Sequence, residues 1–433
     1  MLDWLNRRTV GCLVLAAAAA MAGSFPLAET AQAEPPPADS AEWPGFLGPD
    51  RNGLSRETGL LKSWPADGPP EVWRVPGGQG MSGLAISGGR LFTMVQKGGR
   101  QLVLCLDART GKSIWEAEAS PAYKNPMGDG PRATPAVDGT VVYVLTGDGV
   151  VAAYQVADGK LLWSQEILEE FGGKPADYGM AGSPLVVGDR VIVIAGAPQA
   201  TVVALSRVNG AVSWTAGMDS TAGYSSPTKL TVGGRDQIVA FHGKGALGID
   251  PESGGELWSF PYITDFDCNI ATPLAVADGV FLSAGENHGS VLLSLKPKGG
   301  RFEAIPKWES HGPKSTLRNE WQTAIHLGGK LYGFDNVGGA GPVSHLTCID
   351  AASGQRLWQQ TRFGKGNLIA ADGKLWIVTL EGELAVVEAD PKTFRELGRK
   401  PIVGKTRQAP SLASGLLYLR DDRQIVCLDV REK

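Results

Sequence analysis

Residues 105–115 read Cys-Leu-Asp-Ala-Arg-Thr-Gly-Lys-Ser-Ile-Trp: an apolar run, an acidic residue, a glycine turn and a closing tryptophan. Clean or degraded copies of this phrase recur along the 433-residue chain and end at six other tryptophans: Trp73, Trp163, Trp214, Trp258, Trp308 and Trp358. The seven tryptophans are separated by 42, 48, 51, 44, 50 and 50 residues. A repeat of this length with strand-like content is typical of propellers and solenoids.

Residues 133–166 show what one repeat encodes. Four short apolar runs are separated by turns such as Asp138-Gly139 and Asp158-Gly159. Asp-Gly between β-rich runs is a strong hairpin signal, because both central residues of the turn need positive φ. Four antiparallel strands per period predict a propeller blade, and counting the ends of the third strands predicts eight blades.

The two ends of the repeat array are complementary. The last repeat stops at residues 429–433 without a fourth strand, whereas residues 72–75 form a fourth strand without the other three. We therefore predict an all-β fold, an eight-bladed β-propeller of four-stranded antiparallel blades over residues 72–433, whose N-terminal strand completes the last blade. Such closure covers two strand edges. The repeated tryptophans are expected to pack between blades, where each can bury about 200 Å².

Residues 1–33 have the pattern of a secretory signal peptide. Arg7 and Arg8 precede the apolar run 10–22, and Ala31-Gln32-Ala33 is a small-x-small cleavage site, which predicts a cut after Ala33. An uncleaved membrane anchor is the alternative, although the apolar run is short for a span of about 20 residues. Residues 34–71 form an N-terminal extension. The expected location is periplasmic or secreted.

Charge and cysteine content exclude some classes of protein. The formal net charge is −4 with scattered Lys and Arg, unlike the basic footprint of a nucleic-acid binder. After the signal, four cysteines remain. Cys105, Cys348 and Cys427 occupy equivalent positions in different repeats and would lie too far apart for disulfides, and Cys268 has no evident partner. We expect free thiols acting as small apolar residues.

The Leu-Asp-x-x-Thr-Gly-Lys-x-x-Trp phrase at residues 106–115 resembles the repeat of pyrroloquinoline-quinone-like (PQQ-like) propellers, over roughly residues 72–433. That family includes quinoprotein alcohol dehydrogenases and a non-enzymatic scaffold lipoprotein of the outer-membrane assembly machinery. The dehydrogenases of the family imply a quinone under a vicinal Cys-Cys disulfide and a Ca²⁺ held by Glu, Asn and Asp. This chain has no Cys-Cys pair. The stretches 286–288 (Glu-Asn-His) and 319–320 (Asn-Glu) offer hard oxygen ligands but read equally well as polar loops.

Loops that enter the first strand of each blade are expected to line the central opening, and binding residues favour such loops. Aligning the repeats exposes one variable position per loop, and seven of these are candidate ligand-binding residues: Arg132, Met180, Tyr224, Asn269, Trp321, Asn367 and Arg407. The alternative is that they plug the channel or cap strands.

No catalytic or metal-binding constellation was found in the sequence. Two functions remain open. The first is an exported, non-catalytic scaffold, a monomer without cofactor that binds an envelope protein or peptide, or a small molecule on the propeller axis, and meets membranes only through partners. The alternative is a PQQ-dependent quinoprotein dehydrogenase with Ca²⁺.

Overall fold

The computed structural model describes residues 42–338, 341 and 343–432. These residues form eight four-stranded antiparallel sheets, which confirms the predicted eight-bladed β-propeller. The predicted signal peptide, residues 1–33, lies outside the described residues. Within the described part of the chain, no helix is long and apolar enough to cross a membrane.

Each blade has four strands, and in blades 1 to 7 these follow one another in chain order from the innermost strand outward. Chain order begins with β1 (Glu71–Pro76), followed by β2 (Ala85–Ser87), β3 (Arg90–Lys97), β4 (Arg100–Asp107) and β5 (Ser113–Pro121) in blade 1; β6 (Ala136–Asp138), β7 (Val141–Leu145), β8 (Val150–Gln155) and β9 (Leu161–Glu166) in blade 2; β10 (Leu185–Val187), β11 (Arg190–Ala197), β12 (Ala200–Ser206) and β13 (Val212–Ala216) in blade 3; and β14 (Thr228–Val232), β15 (Arg235–His242), β16 (Gly245–Ile249) and β17 (Glu256–Pro261) in blade 4.

The second half of the ring repeats this order. Its strands are β18 (Leu274–Val276), β19 (Gly279–Ala284), β20 (Gly289–Lys298) and β21 (Arg301–His311) in blade 5; β22 (Ile325–Leu327), β23 (Lys330–Asn336), β24 (Ser344–Asp350) and β25 (Arg356–Gln360) in blade 6; β26 (Gly366–Ala371), β27 (Lys374–Thr379), β28 (Glu383–Glu388) and β29 (Glu396–Pro401) in blade 7; and β30 (Ser411–Ala413), β31 (Leu416–Arg420) and β32 (Gln424–Asp429) in blade 8. One helical turn, α1 (Ile167–Glu170), and two 3-10 turns, Asp265–Asp267 and Gly312–Lys314, complete the described elements.

Blade 8 takes its outer strand from the N-terminal side of the chain and has the order β30-β31-β32-β1. Strand β1 pairs antiparallel with β32 and places Trp73 opposite Cys427, which confirms the predicted closure. The buried guanidinium of Arg420, on β31, reinforces the seam between blades 8 and 1. It donates to the backbone carbonyls of Met94, at 2.9 Å, and Gly78, at 2.8 Å. The seam is therefore held by backbone pairing and by a buried side chain.

The recurring phrase builds a capped turn between the third and fourth strands. The Asp107 carboxylate accepts hydrogen bonds from the backbone N–H groups of Arg109 and Thr110, at 3.1 and 2.8 Å, and from the Thr110 hydroxyl at 2.8 Å. Gly111 follows with a φ of +70°, a conformation that glycine adopts without strain. A Cβ on Gly111 would also lie 2.8 Å from the Trp73 ring. The glycine thus serves the turn and makes room for the tryptophan of the preceding blade.

The repeated tryptophans join neighbouring blades. In six of them the indole N–H donates to a backbone carbonyl of the next blade at 2.8–3.1 Å: Trp73 to Ala108, Trp115 to Val156, Trp163 to Arg207, Trp214 to Pro251, Trp308 to Ala351 and Trp358 to Asp390. Trp258 instead donates to the Gln237 side chain in its own blade, at 2.6 Å. The turn that follows it in blade 5, between β20 and β21, carries a degraded copy of the phrase without its acidic residue. The structural role predicted for these residues is confirmed.

The fourth strand of the seventh blade, β29, lacks the repeated tryptophan. Its strand pairing places Gly398 opposite Val386, the position that Trp115 occupies opposite Cys105 in blade 1. A Cβ on Gly398 would collide with the indole of Trp64. Trp64, from the N-terminal extension, therefore fills the tryptophan position of blade 7 from a distant part of the chain.

Residues 42–62, here called the crossing segment, run across one end of the central channel. Their backbone forms hydrogen bonds with the innermost strands of several blades or with residues beside those strands. The bonded backbone groups belong to Trp43 and Ile86 (two bonds), Pro44 and Val137, Gly53 and Ala370, Ser55 and Ala370, and Leu61 and Val430. The buried guanidinium of Arg51 donates to the carbonyls of Ser183 and Pro184, at 2.9 and 2.8 Å. The segment thus satisfies backbone groups that an empty channel would leave unpaired.

The four cysteines of the described residues, Cys105, Cys268, Cys348 and Cys427, are unpaired and buried. The first, third and fourth lie on third strands of different blades, as small apolar residues would. This agrees with the expectation that the chain carries no disulfide framework in this region.

Candidate functional site

A cavity of about 320 Å³ lies on the propeller axis. All eight blades contribute lining residues, mostly from the loops that precede the innermost strands. Four residues of the crossing segment also line the cavity: Trp43, Gly45, Phe46 and Leu47. The segment forms hydrogen bonds with the innermost strands away from these loops, so it forms the floor of the cavity. The volume is at the lower end of the range of small-molecule pockets, about 300–1,000 Å³.

Five of the seven predicted ligand-binding residues face this cavity: Arg132, Tyr224, Trp321, Asn367 and Arg407. The other two, Met180 and Asn269, are not among its lining residues. Met180 is buried in the apolar core around blade 3. The Asn269 amide donates to the carbonyls of His242, at 2.7 Å, and Tyr262, at 2.9 Å, so it caps neighbouring strands. Ligand binding by any of the seven stays a prediction.

Trp321 is the aromatic centre of one wall. The Lys365 ammonium lies 4.5 Å and the Arg407 guanidinium 4.8 Å from the centroid of its ring, within the range of cation–π attraction. Lys365 is also paired with Glu320 at 2.6 Å, and both side chains are nearly fully buried. The Lys365 charge is therefore compensated, while no carboxylate of the described residues pairs with Arg407.

Two guanidiniums approach each other at the cavity wall. Arg132 lies over the Tyr123 ring at 4.9 Å and donates to the backbone carbonyls of Tyr178, Gly130 and Gly128. Burial and, more weakly, repulsion from Arg407 lower the pKa of Arg132. The Nε atom of Arg407 is buried without a hydrogen-bond partner, and its Nη1 lies 3.7 Å from the Met81 sulfur. Neither arginine forms an ion pair with a carboxylate of the described residues, so this wall can receive an anion.

Glu286 supplies the opposite charge from the turn between β19 and β20. Gly285 accepts a hydrogen bond from His288 at 2.9 Å, and the two central residues, Glu286 and Asn287, have φ values of 54° and 60°. Such a turn favours Asn or Gly at both positions. The Glu286 Oε2 atom is buried without a partner. Burial, followed by the nearby Glu320 and Asp265 carboxylates, raises the pKa of Glu286.

The remaining wall is aromatic. Tyr178 and Tyr224 are stacked with ring centroids 5.4 Å apart, and the Tyr224 hydroxyl accepts a hydrogen bond from the Tyr178 backbone at 3.3 Å. Cys268 also lines the cavity. Burial, aided by the Glu286 and Glu320 carboxylates, raises the pKa of its thiol to about 12. Because the thiolate is the nucleophilic form, this cysteine is inert at neutral pH.

The oxygen ligands considered from the sequence are mostly engaged in structure. The Asn287 side chain accepts hydrogen bonds from Arg318, at 3.2 Å, and from the Gly338 backbone, at 3.0 Å. His288 packs on Tyr262 with ring centroids 4.4 Å apart. The Asn319 amide donates to the Gln322 side chain and the Phe334 carbonyl. Only Glu286 and Glu320 of this set line the cavity.

These residues do not form the Ca²⁺ site of the dehydrogenases. A Ca²⁺ ion takes six to eight oxygen ligands, and among the described residues no group of three or more His, Cys, Asp or Glu side chains could hold a metal ion. Glu320 already holds the Lys365 ammonium at 2.6 Å.

The candidates taken from the sequence did not include the lining residues Phe46 and Tyr178, or Lys365, which lies over the Trp321 ring. Lys365 lies two residues before the candidate Asn367, which itself lines the cavity. Phe46 reaches the axis only because the crossing segment does, and no repeat pattern covers that segment.

The fold and the site define an eight-bladed β-propeller with a charged and aromatic axial cavity. The family model described as "Outer membrane protein assembly factor BamB" matches residues 63–170, 99–317 and 343–432. Those ranges cover most of the chain, and the chain belongs to this family.

Curated relatives carry the same description, and solved structures share the fold. The outer membrane protein assembly factor BamB of Yersinia pestis is 24% identical over 307 residues, 66% of this chain and 71% of the relative. The BamB of Nitrosomonas eutropha is 26% identical over 215 residues, 46% of each chain. BamB from Moraxella catarrhalis superposes with a TM-score of 0.59 at 15% identity, covering 83% of this chain and 99% of that one. The quinohemoprotein alcohol dehydrogenase from Comamonas testosteroni gives a TM-score of 0.62 at 15% identity, covering 91% and 81%. At such identities the likeness of the two structures concerns the fold alone.

Proposed function

We propose that this chain is an exported, non-catalytic scaffold of the cell envelope that binds a protein or peptide partner, or a small molecule, at its axial cavity. The observation that carries the proposal is the cavity itself. It receives side chains from every blade, and its Glu286 and Arg407 side chains hold buried polar atoms without partners. Buried polar groups are costly to leave unsatisfied, and a ligand would satisfy them.

The chemistry of the cavity supports binding over catalysis. Glu320 is neutralised by Lys365, the Cys268 thiol is protonated at neutral pH because its pKa is raised to about 12, and no histidine is among the lining residues. A nucleophile with an adjacent base, the usual mark of covalent catalysis, is not present among the described lining residues. The family relatives named outer membrane protein assembly factors support an envelope role with protein partners.

A variant whose side chain fills the cavity tests whether the cavity is the binding site. Ala181 lines the cavity, and Ala181→Trp would occupy part of it. The matched control, Val208→Trp, adds the same side chain to a loop residue that is 80% exposed. Immobilised wild-type protein and the control should retain the same molecule from an envelope extract, and Ala181→Trp should lose it. Equal retention by all three proteins would contradict binding at the cavity.

The dehydrogenase alternative has its own test. Purified protein is incubated with the quinone and Ca²⁺, desalted, and assayed for dye reduction with alcohols. We expect no retained visible absorbance and no dye reduction. Retained cofactor with alcohol-dependent reduction would overturn the non-catalytic assignment.

A further inference from the structure

The axial cavity carries two uncompensated charges of opposite sign, contributed by different blades. Glu286 belongs to blade 5, while Arg407 lies in the loop that enters blade 8. Trp321 enters from blade 6, between them in the order of the ring. All three residues line the same cavity.

Neither charged group is fully satisfied by the described residues. The Oε2 atom of Glu286 and the Nε atom of Arg407 are buried without hydrogen-bond partners. Nearby charges do not cancel them, because Lys365 is held by Glu320 and Arg132 adds a second positive charge beside Arg407. The cavity therefore combines a carboxylate from blade 5, an aromatic side chain from blade 6 and a guanidinium from the loop that enters blade 8.

The backbone at Glu286 provides an independent argument. A glutamate at φ 54° occupies a turn position where Asn or Gly is favoured. Backbone conformations of this kind persist where the surrounding structure maintains them, and they cluster at functional sites. Here the turn brings an unpartnered carboxylate into the cavity.

We propose that the axial cavity recognises a small zwitterion, an amino acid or short peptide, whose ammonium group binds Glu286, whose carboxylate binds Arg407 and whose apolar body packs on Trp321. The proposal rests on the proposed function of the cavity as a binding site. Charge-assisted hydrogen bonds at both ends would satisfy the two buried atoms, and the cavity volume suits a ligand of this size.

Titration calorimetry with the dipeptide Ala-Phe and its N-acetyl and C-amide derivatives tests both ends on the wild-type protein. We expect the unmodified dipeptide to bind and each derivative to bind about 10- to 100-fold more weakly, the loss of one charged hydrogen bond. Equal affinity for all three compounds would overturn the proposal.

Two variants test which residue binds which end of the dipeptide. In Glu286→Gln the unmodified and N-acetylated dipeptides should bind equally, and in Arg407→Gln the unmodified and amidated dipeptides should bind equally. A uniform loss of affinity for all compounds in either variant would contradict the assigned contact, and thermal melting verifies that each variant is folded. If no dipeptide binds the wild-type protein, the zwitterion is excluded, whereas capture from the envelope extract still tests the proposed function independently.

Discussion

The indole of Trp64 occupies the space beside Gly398 that would otherwise be filled by the tryptophan of the seventh blade. The other seven blades carry this tryptophan on their own fourth strand. The N-terminal extension thus supplies a missing part of the repeat, and its contribution to stability can be measured.

A double-mutant cycle tests this exchange. Trp64→Ala should destabilise the protein by about 2 kcal/mol, less than the ~3–5 kcal/mol of a fully buried tryptophan, because Trp64 is partly exposed. Gly398→Trp should also destabilise it, by about 1–3 kcal/mol, through overpacking against Trp64. The combined variant should recover most of the loss, because the repeat's own tryptophan then fills the site. Midpoints of urea unfolding give the three values, and strict additivity of the two losses would contradict the exchange.

Arg420 should contribute strongly to ring closure. Its guanidinium is 1% exposed and donates to Met94 and Gly78 across the seam between blades 8 and 1. Arg420→Met removes these donors and leaves buried carbonyls unsatisfied, at a cost of about 2–4 kcal/mol. Arg423→Met, an exposed position three residues later, is the matched control and should change stability little. Similar unfolding midpoints for the two variants would argue against a buried clamp.

Glu286→Asn should make the protein more stable. Asparagine tolerates the positive φ of this turn better than glutamate, and the substitution removes a buried carboxylate without a partner. The expected gain is about 1 kcal/mol, seen as a higher melting temperature. Glu381→Asn, at an exposed residue in a turn of ordinary φ, should give no gain. A lower melting temperature for Glu286→Asn would show that the protein itself uses the carboxylate.

Stability should fall as pH is lowered from about 6.5 to 4. Burial, with a smaller effect of Lys244, lowers the pKa of His242 to about 4, while an unfolded histidine titrates near 6.5. Between these values the unfolded chain binds the proton and the folded protein does not, so the contribution of His242 to stability decreases by up to about 1.4 kcal/mol per pH unit, and this contribution stops changing below pH 4.

His242→Asn tests the source of that slope. The asparagine oxygen can replace the ring nitrogen that lies 2.6 Å from the Ser220 hydroxyl, but it does not titrate. The slope should decrease without vanishing, because burial also lowers the pKa values of His288 and His326. An unchanged slope in melting temperatures between pH 7 and 4.5 would assign the effect to other groups.

The sequence was sufficient for the blades because the information that specifies each one is local. Asp107, Thr110 and Gly111 specify a turn within five residues, and repetition multiplies that signal. The role of Trp64 could not be predicted in this way, since it depends on a contact with Gly398 that joins distant parts of the chain. In the sequence, the seventh repeat has Gly398 at the position of the tryptophan, and nothing local indicates which residue replaces it.

The sequence was sufficient to predict which loops line the site, but not which residues of those loops face it. Aligned positions selected Trp321 and Arg407, which line the cavity, but also Met180 and Asn269, which turn into the core and cap strands. A one-residue difference in loop path decides whether a side chain faces the axis, and residue type does not report that path. Glu286 does not belong to these aligned loop positions, because it lies in the hairpin turn between β19 and β20.

The pairing of β1 with β32 also constrains how the chain folds. Strand β1 is synthesised first and cannot pair until β32, the last strand, has been synthesised, so its edge stays unpaired in the meantime. Loop closure over such a separation is slow, and exposed edges associate readily with other chains. Blades 1 to 7 can form in succession as the chain emerges, but the ring becomes one cooperative unit only at the end, so the interval before closure is when the protein is most vulnerable to aggregation and proteolysis.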